Sequence, residues 1–256
     1  MRELLDLILC EFAKIKRQRF ILLSILAACL FPIPLTVLVA KDSLHFEQLF
    51  KLVVTFGNFL LLPCVLSVAA CVLFFMERDS DMLKNLMTVP VPKTKLAAAK
   101  LAVLLIVAVL YSMAGLGATI IGGLVVGAVE GVAFKLGLSV ILGIMLFVSV
   151  LPVVILIVCF NKSYIFSIII AFLYSVLNFG IALNMMSFAP NSIFINILPG
   201  PVIMRWWSSY WSGLSPEYFA IRKPYMLSTP VCAGILFLIA AISMPLISIS
   251  YKKQED

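Results

Sequence analysis

The sequence predicts an all-α polytopic membrane protein with six transmembrane helices. Of its 256 residues, 63% are hydrophobic, against roughly 45–50% in typical soluble domains. Only 12% are charged, and the mean hydropathy is +1.17. A soluble chain of this length could not cover its surface with so few charged side chains. Lipid is therefore the predicted solvent for most of the surface, and the apolar runs are long enough for spanning helices.

Residues 1–19 are predicted to form an amphipathic helix before the first span. Apolar residues repeat there at helical spacing, and most charged residues fall on the other side. The two sets are Leu4, Ile8, Phe12 and Ile15 against Glu3, Asp6, Lys14 and Arg17. A basic amphipathic helix beside a span lies in the membrane interface. A signal peptide fits poorly, because the apolar run that follows is longer than a signal-peptide core of about 7–15 residues.

The six spans are predicted at residues 20–40, 52–75, 96–129, 136–160, 163–188 and 230–250, within a single domain of residues 1–256. Pro32 and Pro34 are expected to kink the first span, and Pro63 lies near the middle of the second. The third apolar run would be about 52 Å long as one straight helix. Because the bilayer core is about 30 Å thick, a break or an inner extension is expected there.

The distribution of basic residues predicts that both termini are cytoplasmic. With that orientation, 13 of the 19 Lys and Arg residues lie on the inner side, in agreement with the positive-inside rule. The net charge of +7 is then explained by the orientation of the chain in the membrane, and no nucleic-acid partner is expected. The six outer residues are Lys41, Lys51, Lys135, Arg205, Arg222 and Lys223.

The sequence lacks several residue types and motifs that metal binding, catalysis or ATP binding would need. The chain has one histidine, His45, and six cysteines without a CxxC pair, so neither a metal site nor a disulfide framework is expected. The six apolar cores contain no Asp, Glu, Lys, Arg or His, which disfavours ion-coupled transport and intramembrane catalysis. Lys100 is placed at the cytoplasmic start of the third span, outside its core. No Gly-Lys dipeptide occurs, so the phosphate-binding GxxxxGK[ST] loop is absent. Energy for uphill transport would have to come from another polypeptide.

The interval 77–95, between the second and third spans, is predicted to contain a short inner helix. Ser80 could cap it, Asp79 and Asp81 suit its N-terminal end, and Pro90 and Pro92 would end it. Its apolar face would carry Met82, Leu83, Leu86 and Met87. Two interpretations remain: a solvated loop that only joins two spans, or a docking helix for a cytoplasmic partner.

Two spans carry stripes of small residues. Gly115, Gly123 and Gly127 in the third span, with Thr119 and Gly131, are spaced four apart, which favours close helix packing within one subunit over a subunit interface. In the fifth span the stripe is Ser167, Ala171, Ser175, Asn178 and Ala182, and it should face protein or a water-filled path. Asn178 and Asn58 are the candidate polar groups along a transport path, with helix packing as the alternative.

The layout and one motif resemble the type-two ABC exporter permeases. The motif is E-R-D-S-D-M-L-K-N-L-M followed by P-V-P-K-T-K, within residues 77–100, whereas the layout matches over the whole chain. The chain looks most like the small permeases of bacitracin and lantibiotic self-protection systems. The resemblance implies that the N-terminal helix is the connecting helix and the inner helix is a coupling helix on an ATPase. Residues at that ATPase contact would be Glu77, Arg78, Asp81, Leu83, Lys84 and Leu86.

The segment 190–229, between spans five and six, holds all three tryptophans. An aromatic belt at the membrane surface would explain them. In the resembled family, however, re-entrant helices cap the path here, and Pro199, Gly200 and Pro201 suit a half-inserted turn. The resemblance therefore implies an outer gate at Trp206, Trp207 and Trp211.

The expected function is that of a permease subunit of an ATP-driven exporter in the bacterial plasma membrane. The resemblance implies two permease protomers, identical or related, and two copies of a cytoplasmic ABC ATPase that binds ATP and Mg. This chain would not be an enzyme, and its substrate would be an amphiphilic antimicrobial peptide or a lipid-like compound. The rival classes are a non-transporting membrane scaffold and a secondary transporter or channel.

Overall fold

A computed structural model of the chain describes residues 2–16, 19–42, 45–79, 92–127, 129–159, 164–211 and 215–253. Every regular element in these ranges is helical. Six helical segments are long and apolar enough to cross a membrane, which confirms the predicted fold class.

The amphipathic helix and the first span follow the sequence pattern. Helix α1 runs over Arg2–Lys16, α2 over Arg19–Leu30 and α3 over Pro32–Lys41. The first span is interrupted at Phe31, and Pro32 begins α3, as expected for a residue that fits the first helical turn but disrupts a helix interior. The predicted kink is therefore found as a break between two helices.

The second span is longer than predicted and contains a π-helix. Helix α4 spans Phe46–Leu52, the π-helix Val53–Leu61 and α5 Leu62–Asp79. The π-helix ends with a hydrogen bond from the Leu62 N–H to the carbonyl of Gly57, five residues earlier. Pro63 is the next residue. A proline ring in an α-helix clashes with the carbonyl four residues earlier and has no N–H to donate. The π-helix widens the turn where that conflict arises.

The third span is one unbroken helix, α6, over Lys93–Val126. Its 34 residues correspond to about 51 Å. The expected break is not observed, and Lys100 near the start of α6 bonds Glu11 of α1, so the extra length lies at the end of the bundle that holds α1. The helix ends at Gly127, whose φ of 152° is a conformation that L side chains rarely adopt.

The remaining spans are α7 over Val132–Cys159, α8 over Tyr164–Leu183 and α12 over Thr229–Lys253. Between α8 and α12 lie the short helices α9 over Ile193–Ile197, α10 over Pro199–Trp207 and α11 over Pro216–Arg222. All nine residues of α10 are buried. We call residues 184–228 the cap, and the end of the bundle that holds them the cap end.

Helices α5, α6 and α7 form the centre of the bundle and contact one another. Helix α8 packs on α5, α12 on α6 and α7, and α2 and α3 on α6. The backbones of α6 and α7 approach so closely that a Cβ on Gly143 would lie 3.1 Å from Cα of Val109. The opposite end of the bundle, the termini end, holds α1 and the last turns of α12, where Tyr251 packs edge-on against Phe74.

Candidate functional site: a buried ion pair, two asparagines and the cap

A buried ion pair joins three helices at the termini end. Lys100, with a fully buried side chain, lies 3.3 Å from Oε2 of Glu11 and donates a hydrogen bond of 2.6 Å to the Leu73 carbonyl. Glu11 is also buried and accepts a hydrogen bond from Lys14. The Phe74 ring centroid lies 5.6 Å from the Lys100 ammonium. One side chain of α6 is therefore bonded to α1 and to α5.

This ion pair lies directly beside the predicted coupling segment. Leu73 precedes the interval 77–95 and Lys100 follows it, so their hydrogen bond joins the two helices that flank that interval. Sequence analysis treated Lys100 only as a charge at the start of a span. The available clue was its position in the apolar run Leu96–Val103, where a lysine needs a buried partner.

The predicted ATPase-contact residues fall mostly beyond what the structure describes. Glu77 and Arg78 belong to the last turn of α5, but their side chains are not described. Asp81, Leu83, Lys84 and Leu86 lie outside the described residues. Their contact with an ATPase stays a prediction.

Asn58 links three spans inside the bundle. Its side-chain nitrogen donates to the Ser112 hydroxyl at 3.1 Å, and that hydroxyl donates to the Ser139 carbonyl at 2.8 Å. Asn58 belongs to the π-helix, Ser112 to α6 and Ser139 to α7, and all three are buried. The side-chain nitrogen of Asn58 therefore finds a hydrogen-bond acceptor within the same protomer.

Asn178 anchors the cap to the fifth span. Its Oδ1 accepts a hydrogen bond of 3.2 Å from the Gly200 N–H, and its Nδ2 donates to the Tyr174 carbonyl at 3.1 Å. Gly200 lies in the first turn of α10, where backbone N–H groups have no partner within the helix. As the spacing predicts, the whole stripe is buried against protein: Ser167, Ala171, Ser175, Asn178 and Ala182. Asn178 thus caps a helix to which it does not belong.

The three glycines predicted to pack the third span have different surroundings. A Cβ on Gly123 would lie 2.4 Å from the Phe46 ring, and one on Gly115 would lie 4.0 Å from the Ala28 carbonyl. Gly127 instead ends the helix, and a Cβ there would meet nothing within 4 Å in this chain. The closest approach to the first span is made by Gly122, which sequence analysis did not single out and whose Cβ would lie 2.2 Å from the Thr36 hydroxyl.

Two of the three tryptophans assigned to the outer gate are packed in the interior of the cap. Trp206 and Trp207 are each 2% exposed. Trp206 donates to the Thr229 hydroxyl at 3.1 Å and packs edge-on against Tyr210, while Trp207 packs edge-on against Phe50. Trp211 is half-buried, with cationic side chains over its ring. Because the first two are fully packed, replacing them with alanine would remove core volume as well as any gating function.

Arg205 holds the cap together, and sequence analysis assigned it no role. Its guanidinium donates to the Tyr225 carbonyl at 2.7 Å, to the Asn196 side-chain oxygen and to the Ile195 carbonyl. Burial lowers the pKa of the Arg205 guanidinium below its ordinary value. These bonds connect α9, α10 and the chain just before α12, which a sequence pattern could not reveal because the acceptors are mostly backbone carbonyls.

An apolar groove opens sideways between the first and third spans. Its volume is about 660 Å³, and its lining includes Cys29, Ile33, Val37, Gly117, Ile121 and Val125. The one hydroxyl in the lining, on Thr36, donates to the Pro32 carbonyl four residues earlier. Ile121 and Val125 are 69% and 75% exposed at its edge. The groove therefore presents an apolar surface to the region that lipid would occupy.

Six membrane-length helices with a buried cap at one end and a buried ion pair at the other define a helical multi-pass membrane protein. Among the described ranges, no group of His, Cys, Asp and Glu residues could hold a metal ion. The chain belongs to the ABC-2 family transporter proteins, which it matches over residues 7–178, about two thirds of its length. It is therefore a membrane permease subunit of an ABC transporter, and this family pairs with a separate ABC ATPase subunit.

The matched region includes Glu11, Lys100 and the predicted coupling segment, and it ends at Asn178. The cap and the sixth span follow it in the chain. A search of curated proteins gives no match.

Proposed function

We propose that this permease exports an amphiphilic compound from the membrane, either an antimicrobial peptide of the lantibiotic or bacitracin kind or a lipid-like compound, for self-protection or resistance. The observation that carries the proposal is the apolar groove between the first and third spans. A compound taken up from lipid needs an apolar binding surface that is open to the side, and ligand sites of 300–1,000 Å³ are typical for small molecules. The groove has that size and opening, which suits a lipid-like compound or one apolar part of a larger peptide.

In this proposal the cap end faces the outside of the plasma membrane and both termini are cytoplasmic. The positive-inside distribution of Lys and Arg supports this orientation. The Glu11–Lys100 pair then lies on the cytoplasmic side, where an ATPase can reach the residues beside it. The cap closes the external end.

Two permease protomers, identical or related, would assemble with two ATPase copies that hold ATP and Mg. Closure of the ATPases would push the interval 77–95. Because Lys100 bonds both Glu11 and the Leu73 carbonyl, that push would move α1, α5 and α6 together. The permease would shift between inward- and outward-open states by this movement.

Co-purification followed by an ATPase assay tests the proposal. The full chain, expressed with its ATPase, should copurify with it, and candidate amphiphiles should stimulate ATP hydrolysis in reconstituted vesicles. A stable complex that no amphiphile stimulates and that moves none of them would support a scaffold subunit instead. Transport driven by an ion gradient without ATP would support a secondary transporter.

A further inference from the structure

Unpartnered hydrogen-bond donors are buried together at the cap end. Arg222 is 6% exposed, and its Nε and Nη1 have no hydrogen-bond partner. Its guanidinium carbon lies 3.9 Å from the ring centroid of Trp211, whose indole N–H is also buried without a partner. The indole N–H of Trp207, four residues earlier in the chain, is also buried without a hydrogen-bond partner. Arg222 and Trp211 thus present adjacent donors, and the contact of the guanidinium with Tyr218 leaves its Nε and Nη1 without a partner.

The surroundings add positive charge. The Lys51 ammonium lies 5.9 Å from the same Trp211 centroid, so the two cations are no more than about 10 Å apart. Lys135 packs near Phe50, the residue before Lys51, and pairs with Glu47 at 3.0 Å. Glu47 also acts electrostatically on Lys51. Three basic side chains, Lys51, Lys135 and Arg222, thus lie near this one carboxylate beside the cap.

A buried guanidinium with two unpartnered nitrogens is unfavourable unless an acceptor binds their N–H groups. Since every unpartnered group here is a donor, the missing partner must be an acceptor. Water could accept these hydrogen bonds, but it would not balance the charge. An anion would do both, and the planar fork of an arginine matches the oxygens of phosphate.

We propose that Arg222 and Trp211, with the charge of Lys51, form a binding site for a phosphate group at the cap end of the permease. Phosphate offers acceptor oxygens in several directions, which suits donors on two different side chains. The group could belong to a lipid head group or to a free phosphate compound. The inference does not depend on which compound the permease exports.

Intrinsic fluorescence provides a direct assay, because all three tryptophans of the chain are Trp206, Trp207 and Trp211. The full chain is placed in phosphatidylcholine nanodiscs without its ATPase, whose own tryptophans and phosphate-binding site would interfere, and two probes are compared. In one arm phosphatidic acid is added to the nanodisc lipid. In the other, inorganic pyrophosphate is added to the buffer, with sulfate at equal ionic strength as the reference.

A saturable fluorescence change with phosphatidic acid alone would assign the site to a lipid head group, and a change with pyrophosphate would assign it to free phosphate compounds. In either case Arg222→Gln should weaken the apparent affinity about tenfold or more, since it removes a charge-assisted hydrogen bond. The matched control is Lys223→Gln, which removes the same charge from the adjacent exposed residue and should change affinity less than twofold.

Three results would overturn the proposal: no change with either probe, an unaltered affinity in Arg222→Gln, or an equal loss in Lys223→Gln. If Arg222→Gln does not fold, Arg222→Lys keeps the charge and replaces the planar fork with a point charge. Its affinity should fall at least threefold. An unchanged affinity in that variant would also contradict the assignment.

Discussion

Asn178 on the fifth span caps the first turn of α10 by accepting a hydrogen bond from the Gly200 N–H at 3.2 Å. A Cβ on Gly200 would lie 3.0 Å from the Asn178 Cβ and 3.2 Å from its backbone carbonyl oxygen. A side chain larger than glycine at position 200 would therefore require α8 or α10 to shift by a few tenths of an ångström. The hydrogen bond joins the cap to the fifth span where α10 packs against α8, α7 and α12.

Gly200→Ala should destabilise the permease by about 1–3 kcal/mol, because the added methyl group must displace α10 from Asn178. Thermal unfolding of the purified complex measures the loss. Gly180→Ala is the matched control on α8, since a Cβ there meets nothing within 4 Å. It should be neutral or stabilising by up to about 1 kcal/mol. Equal destabilisation by both variants would contradict the close contact.

Lys100→Met should destabilise the complex toward the lower end of roughly 3–5 kcal/mol, because Glu11 loses one partner but keeps Lys14. The double variant Lys100→Met with Glu11→Gln should lose less than the sum of the two single losses, with a coupling of about 0.5–3 kcal/mol. Unfolding measurements on all three variants check this. Lys16→Met, an exposed charge loss on α1, should stay within about 0.5 kcal/mol of wild type. Additive losses would refute the direct pairing.

Gly117→Leu should lower export several-fold while leaving thermal stability unchanged. A Cβ at Gly117 meets nothing within 4 Å, so a leucine side chain extends into the groove without a backbone clash. Gly137→Leu is the control, because Gly137 is exposed on α7 and equally unobstructed. Transport into inverted vesicles gives the readout. Normal export by Gly117→Leu would show that the groove does not bind the exported compound.

Reversing the charge at Glu77 and Asp81 should weaken ATPase binding or uncouple ATP hydrolysis from transport, because these residues belong to the predicted coupling segment. The amount of ATPase that copurifies and the ratio of transport to hydrolysis are the two measurements. Reversal at Glu217, an exposed residue at the start of α11, is the control and should change neither. A stable, normally coupled complex would argue against the assignment of Glu77 and Asp81.

Trp206→Phe and Trp207→Phe test the outer gate better than alanine substitutions. Alanine at either position would leave a large cavity, with a loss of about 3–5 kcal/mol, so the amount of assembled complex should fall. Phenylalanine keeps most of the packing and removes the indole N–H, which in Trp206 donates to Thr229. We expect normal assembly and reduced export in the phenylalanine variants. Normal export in both would exclude these tryptophans as gate residues.

Much of the fold could be predicted from the sequence, because the bilayer imposes length and polarity on every span. The break before Pro32 and the burial of the stripe from Ser167 to Ala182 both follow from local rules on proline and on helical spacing. The π-helix could not be predicted from the composition of its nine apolar, small and polar residues. It depends on how the second span packs against α6, α7 and α8 as well as on Pro63.

The partners of the polar residues could not be predicted, since they come from distant parts of the chain. Glu11 and Lys100 are 89 residues apart, and Asn58 and Ser112 are 54 apart. The acceptors of Arg205 and Lys100 include backbone carbonyls, which every residue carries and no pattern distinguishes. Sequence spacing identifies the face of a helix but not the helix that will pack against it.

The sequence by itself determined that this protein spans a membrane, that its spans number six, and that its spanning cores carry no charge. Those properties follow from transfer of side chains between water and lipid, which depends on each residue and its near neighbours. The tertiary structure alone decided that Lys100 joins α1, α5 and α6, that Asn178 caps α10, and that Arg222 is buried with unpartnered donors. Those properties depend on which helices pack together, and helix packing is set by the shape of whole surfaces.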